Sequence, residues 1–475
     1  MRVSEWAGLH NRQAELDFVD IDTARDTRLF VDPYAIDIRQ DAWSHECSQY
    51  LRSFFNALIT ALRNGEDARA EHLASNLHES NETFLGLSRG RPQGRGIGRD
   101  QARQILDALR QSRAVQTGLL SELAETELFI EGIGSDKISD LTTNIIRGPL
   151  LAYTRKEAGL WGMTLTPNVA LSPIWDPNRE DWVQAPRETL VIEGKPVILV
   201  PKFSVRKVLS LNSQEFYNEQ ISYLQQEYLH AGQALIHVLR SGENVVRKKD
   251  VKAHHPKSKA ALAAFAQQHP DVLAQYKQLA GAKGVLDPDE IEPDFDEADY
   301  ANQLIAALGQ IGVGNAQASD YHRYCIGALT FLLFPDLITP MKEREIDQGR
   351  KRIDIAYTNA AREGFFDMAL RSPQMRAIEI PVECKNYRQD IANPELDQIT
   401  GRFSHIRGFL GLLCCRSFDD KERFVERCKD AAVHRNHFVI VLDDDDLGIM
   451  LRNVEQGQRQ QNDLFLRRRF AELGA

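Results

Sequence analysis

At 475 residues the chain is too long for one ordinary hydrophobic core, so two or three domains are expected. Its composition, 43% apolar and 27% charged, is that of a soluble globular protein, and the absence of any run of roughly 18 apolar residues excludes a transmembrane helix. The net charge of −10 argues against a generally basic nucleic-acid coat, although all of that excess lies ahead of Met341, and a balanced C-terminal part can still present a basic groove.

The opening "MRVSEWAGLHNRQAELDF" lacks the apolar core of a secretory signal. Six cysteines, Cys47, Cys325, Cys384, Cys414, Cys415 and Cys428, form no CxxC pair, so free thiols in a reducing cytoplasm are expected. Residues 1–165 read as a short strand region, "ARDTRLFVDPYAI", followed by helices, of which "CSQYLRSFFNALITALRN" carries its apolar residues at helical spacing. This first part is expected to be a mostly helical α+β region. A Gly/Arg-rich loop, "GLSRGRPQGRGIGR", interrupts it. The loop runs into "GRGIGRDQARQIL", which resembles a helix-hairpin-helix signature whose backbone N–H groups face a DNA phosphate. Arg89, Arg91, Arg95 and Arg99 cluster there as nucleic-acid-binding candidates. "IEGIGSDKISDLTTNII" offers a second Gly-Ile-Gly at Gly132 to Gly134. The alternative is that both are turns joining helices.

Residues 166–285 change character. "TLVIEGKPVILVPK" predicts a hairpin turning at Gly194, and "NEQISYLQQEYLHAGQALIHVLR" and "SKAALAAFAQQHPDVLAQYKQLA" predict two long helices. Residues 286–300, with eight acidic residues between Asp287 and Asp299 and interrupting prolines, are expected to be a linker with little to bury. From residue 301 to 475 the pattern alternates: a helix at "YHRYCIGALTFLLF", strands at "KEREI", "RKRIDIAYTN" and "AIEIPVECKNY", and a helix at "NPELDQITGRFSHIRG" capped by Asn393 with Pro394 first. A strand at "FLGLLCC", a helix at "DDKERFVERCKDAAVHRN" and a strand at "HFVIVL" complete an α/β layer.

The chemistry concentrates in this part. Asp354 in "RIDIAY" points away from Ile353 and Ile355. Glu383 and Lys385 in "VECK" share one face, opposite Val382 and Cys384. If the two strands are neighbours, two carboxylates and one cation meet, a set suited to Mg²⁺ with oxygen ligands and retained waters. Such an ion holds a scissile phosphate and lowers the pKa of a bound water, which Lys385 orients or helps deprotonate. Glu395, Gln398 and Arg402 share one face of the following helix, with Leu396, Ile399, Phe403 and Ile406 as its apolar stripe.

These residues, over roughly residues 320–455, resemble the PD-(D/E)xK nuclease superfamily, most closely its Mrr-like branch of restriction and phage-defence genes. The resemblance implies a restriction-endonuclease-like mixed sheet flanked by helices. It makes Asp354, Glu383, Lys385 and Gln398 catalytic, with Asp354 and Glu383 as metal ligands. Mg²⁺ is the implied cofactor, with Mn²⁺ substituting. The first helix lacks the Glu that many members carry, and Glu343 or Glu345 on the first strand stands in for it, so Glu345 and Arg402 are accessory candidates. The implied activity is a cytoplasmic DNA endonuclease, DNA ahead of RNA because the resembled family mostly cuts DNA. The residues ahead of it would sense, bind or gate, and the implied partners besides nucleic acid are a second copy or a defence-system protein, with no membrane. Two alternatives stand beside this. Glu383 and Lys385 would form a cross-strand pair on an exposed sheet face, worth under about 1 kcal/mol. The chain would then be a catalytically inactive nucleic-acid-binding or assembly protein on a nuclease fold.

Other motifs carry ordinary readings. His45 with Glu46, and His254 with His255, lack zinc-like spacing with cysteine. Asp443 to Asp446 read as a helix N-terminal cap, and Arg467 to Arg469 as a solvated helix face.

Overall fold

The computed structural model describes residues 1–77, 80–86, 98–116, 118–184, 186–231, 235–241, 243–346, 351–387 and 391–474, with the side chains of all of these except 98–102, 113, 342–346 and 351–354. The chain is a mixed α/β protein whose C-terminal part is built on a five-stranded mixed sheet. The strands Leu337–Ile346, Lys351–Asn359, Glu379–Lys385, Leu410–Cys415 and Phe438–Leu442 lie side by side in that order. The first three run antiparallel to their neighbours and the last three parallel. The two parallel crossovers carry helices Asn393–Thr400 and Lys421–Arg435, as parallel pairing requires a long connection. Leu410–Cys415 and Phe438–Leu442 are buried throughout, which is why they read as unbroken apolar runs.

Helix Ala318–Leu333 packs on the Leu337–Ile346 and Glu379–Lys385 strands, while Asn393–Thr400 packs against the last three strands. Glu379–Lys385 alternates between these two covers. The Cys384 thiol hydrogen-bonds that of Cys325 on the first helix, and Glu383 and Lys385 meet Gln398 of the second. Two helices follow the sheet. Asp443 caps Asp444–Glu455 by accepting from the Asp446 N–H at 2.9 Å, the expected role of the aspartate run. Asp443 and Asp446 also share Lys421 at 2.6 and 2.7 Å. In Gln461–Ala471 Arg468 is exposed, as a solvated face requires, while Arg467 pairs with Asp463 at 2.7 Å and Arg469 with Asp446.

Several expected elements differ. The cap of helix Asn393–Thr400 is Ala392, not Asn393, because Glu395 reaches back to accept the Ala392 N–H at 2.9 Å and starts the helix one residue earlier. That helix ends at Thr400, so Ile406 leaves the apolar stripe and is 83% exposed. A helix at Gly364–Arg371, between the second and third strands, has no counterpart in the sequence reading. Of the two long helices, the first stops at His230, after which Ile236–Val238 and Asn244–Val246 form a small hairpin. The second is broken into Lys259–Gln268 and Pro270–Gly281, since Pro270 cannot donate into the preceding turn.

The N-terminal region is mostly helical with small sheets, centred on helices Ala42–Asn64 and Arg147–Trp161. Its opening strand is only Phe30–Val31, paired with Val205–Arg206 far along the chain. The hairpin Arg187–Ile192 with Lys195–Val197 turns through Glu193 and Gly194, both left-handed (φ 51° and 77°), the conformation of a two-residue hairpin turn. The acidic stretch 286–300 holds the turn of helix Pro288–Ile291 and the start of Glu297–Gln310. Phe295 is buried there against Tyr300 and Phe331, 5.4 and 6.4 Å between ring centres.

The N-terminal region meets the C-terminal sheet through buried polar groups. Asp17 accepts from the Thr339 N–H at 3.1 Å and from the Tyr153 hydroxyl at 2.8 Å. The Lys202 ammonium lies 4.0 Å from the centre of the Phe334 ring, and the Tyr300 hydroxyl donates to Glu15. Burial holds the Lys202 amine down to about 8 and pushes the Asp17 and Glu157 carboxyls up. All six cysteines are free thiols, as expected. Among the described residues no helix is long and apolar enough to cross a membrane.

Candidate active site

The strand Glu379–Lys385 and the helix behind it bring four of the expected residues together. Glu383 has no exposed surface and Lys385 is 7% exposed, so the exposed cross-strand pair is excluded by burial. Gln398 joins them, its Nε2 donating to Glu383 Oε2 at 2.8 Å and its Oε1 accepting from Lys385 Nζ at 2.9 Å. Lys385 Nζ stands 3.4 Å from the same Glu383 Oε2, and Arg402 Nε stands 3.4 Å from the other oxygen, Oε1. Arg402 lies past the end of its helix and still reaches the carboxylate. Glu383 thus faces two cations and an amide in a region with little water, where each charge interaction is strong.

Asp354 sits in the Lys351–Asn359 strand. The register pairs Ile355 with Val382, and carrying it on by one residue sets position 354 opposite position 383. The side chains of Asp354 and Glu345 lie outside the described residues, as do Arg89, Arg91 and Arg95 and the side chain of Arg99. The second Gly-Ile-Gly leads into helix Ser135–Ile145, and two of its carbonyls are taken, Gly132 by Lys137 and Ile133 by Lys259. His45, His254 and His255 bond Gln49, the Asp250 carbonyl and Tyr228. Among the described residues no group of three or more His, Cys, Asp or Glu is arranged to hold a metal.

The donor set still suits a hard divalent cation. Glu383 supplies a buried carboxylate held in one orientation by Gln398, and the register puts the position of a second carboxylate across the strand pair. Lys385 ends the same strand with its ammonium fixed at the carboxylate, where it can act on a water or on negative charge developing there.

A family model described as a domain of unknown function, DUF8370, matches residues 8–212. The matched region contains both halves of the Phe30–Val31 and Val205–Arg206 pairing and stops just before helix Ser213–His230, so it closes on itself. It does not include the C-terminal sheet. No curated protein and no solved structure matches the chain.

Proposed function

We propose that the chain is a metal-dependent endonuclease that hydrolyses DNA phosphodiester bonds in restriction or phage defence. The C-terminal sheet would hold the catalytic site, and the preceding regions would sense, bind or gate. The observation that carries this reading is the wholly buried Glu383 bridged by Gln398 to Lys385, on a strand whose register sets position 354 opposite. A buried carboxylate facing two cations is costly to maintain, and function is a reason to retain it.

Glu383 and Asp354 would hold Mg²⁺, with Mn²⁺ substituting, which when bound neutralises phosphate charge and acidifies a water. Lys385 orients the attacking water and stabilises charge as the phosphate is attacked. Gln398 positions both Lys385 and Glu383 through its two hydrogen bonds. Arg402 balances the carboxylate from the other side.

The test is cleavage of supercoiled plasmid with Mg²⁺ by the wild type and by Lys385→Met. The variant is expected to lose cleavage and to keep DNA binding, because its ammonium acts mainly on the attacked phosphate. Equal cleavage by both proteins sinks the assignment. A wild type that binds DNA and never cuts it favours the non-catalytic nucleic-acid-binding reading.

A further inference from the structure

A cavity of about 330 Å³ opens where three parts of the chain meet, away from Glu383 and Lys385. Its lining brings Arg39 and Arg206 from the family-matched region, Lys283 from the end of the Pro270–Gly281 helix and Arg362 from beyond the second strand of the C-terminal sheet. Three guanidinium groups from such distant parts of a chain repel one another. Burial lowers the proton affinity of Arg206 and Arg362, and Arg39 adds to it at both and Arg362 at Arg206, against the opposing charges of Asp32 and Asp41.

Their partners do not use all of their donors. Arg39 donates Nε to Asp41 at 2.9 Å and stacks over Phe203, its guanidinium carbon 4.4 Å from the ring centre. Arg206 gives Nη1 to the carbonyls of Phe203 and Val205, at 3.0 and 2.7 Å. Arg362 ties the cavity's rim to the Gly281 and Ile38 carbonyls, at 2.9 and 3.3 Å, and Lys283 pairs with Glu215 at 2.5 Å. Nη2 of Arg39 and Nε of Arg206 are both buried and make no hydrogen bond among the described residues. Each of these two side chains is at least nine-tenths buried. A buried charged donor without an acceptor costs about 1–3 kcal/mol or more, so the chain's own acceptors leave these two arginines beside the cavity under-used.

Asp336 and Glu363 line the same cavity, and burial together with the charges of Asp463, Glu363 and Asp367 pushes the Asp336 carboxyl up to about 7. The lining therefore offers charged donors and carboxylate acceptors together. The size lies at the lower end of small-ligand pockets.

We infer that this cavity binds a small phosphate monoester of mononucleotide size, its phosphate on Arg39, Arg206 and Arg362. Arginine's planar donors match phosphate oxygens in pairs, which suits it to this task over a point charge. The inference stands whether or not the C-terminal site cuts DNA.

Titration calorimetry on the full chain without divalent ions tests it, with AMP, GMP and ribose 5-phosphate as separate ligands. Saturable binding of at least one is expected, and which one separates a nucleotide from a sugar phosphate as the source. Arg206→Gln is expected to weaken that binding by about tenfold or more. Asp336→Asn, which removes a negative charge from the wall and leaves the arginines in place, is expected to tighten it severalfold. This second variant keeps the test decisive if Arg206→Gln fails to fold. No saturable binding of any of the three at about 1 mM overturns the inference, as does an affinity that neither variant changes. Duplex DNA that binds through these arginines while none of the three ligands does would overturn it equally.

Discussion

Replacing Glu383 by Gln and Lys385 by Met, singly and together, measures how strongly the two are bound to each other. At 3.4 Å and an effective dielectric near 20, one such pair is worth about 5 kcal/mol of gross Coulomb attraction. Desolvation of both groups cancels much of that, so the coupling expected from the cycle is about 1–3 kcal/mol. The single changes are not symmetric. Glu383→Gln leaves the side chains of Lys385 and Arg402, 8% and 11% exposed, without their carboxylate and is expected to cost about 3–5 kcal/mol. Lys385→Met leaves Glu383 with Arg402 and Gln398 and is expected to cost less, about 1–2 kcal/mol. Urea unfolding followed by circular dichroism, in EDTA to keep metal out of the comparison, gives all four stabilities. Costs that add to within about 0.5 kcal/mol would show that Lys385 and Glu383 are independent, and the argument that Lys385 is held at the carboxylate would fail.

The same Lys385→Met protein links stability to chemistry, because a loss of cleavage larger than its stability cost explains cannot come from unfolding. Asp336→Asn is expected to stabilise the protein at pH 8 by about 1–3 kcal/mol, read by thermal unfolding. The sign follows from the carboxyl pushed up to about 7 against 3.8. The folded state holds the proton more tightly, so wild-type stability falls as pH rises from about 4 to about 7, and the gain from Asn must vanish below pH 4. A gain that persists at pH 3.5 would assign it to packing instead. Phe295→Ala is expected to cost about 3–5 kcal/mol, because its ring fills a site against Tyr300 and Phe331. A cost under about 0.5 kcal/mol would restore the view of 286–300 as an unpacked connector.

The order of elements in the C-terminal sheet is legible in the sequence because its buried parallel strands are uninterrupted apolar runs and two of the helices around it start on clear caps. Asp420 and Asp443 each accept a backbone N–H three residues on, and both mark real helix starts. What failed was set by neighbours rather than by pattern. Helix Gly364–Arg371 is short, and "GFFDMALR" in isolation reads as an apolar stretch of either kind. Phe365, Phe366 and Ala369 settle it by burying one helical face. In the acidic stretch eight acids dominate the composition, yet Leu286, Phe295 and Tyr300 within it are buried, which composition does not reveal.

The two sites differ in how far sequence reasoning can reach. Glu383 and Lys385 are two residues apart, and Gln398 lies one crossover away, so strand alternation and helix periodicity suffice to bring them to one face. Arg39, Arg206 and Arg362 share no element, and each sits where an ordinary surface arginine is expected. Only the packing of the family-matched region on the end of the sheet makes them neighbours, and only there do the orphaned Nη2 and Nε appear. Arg362 bonds carbonyls of Ile38 and Gly281, which belong to the other two parts of the chain, so a ligand drawn to this arginine acts on the contact between them. A phosphate there would lower the repulsion among three cations that this contact otherwise has to hold together, and so would stabilise the docked arrangement in proportion to its affinity. That is a physical route by which the regions ahead of the sheet can report a small ligand to it, and it requires no contact between that ligand and Glu383.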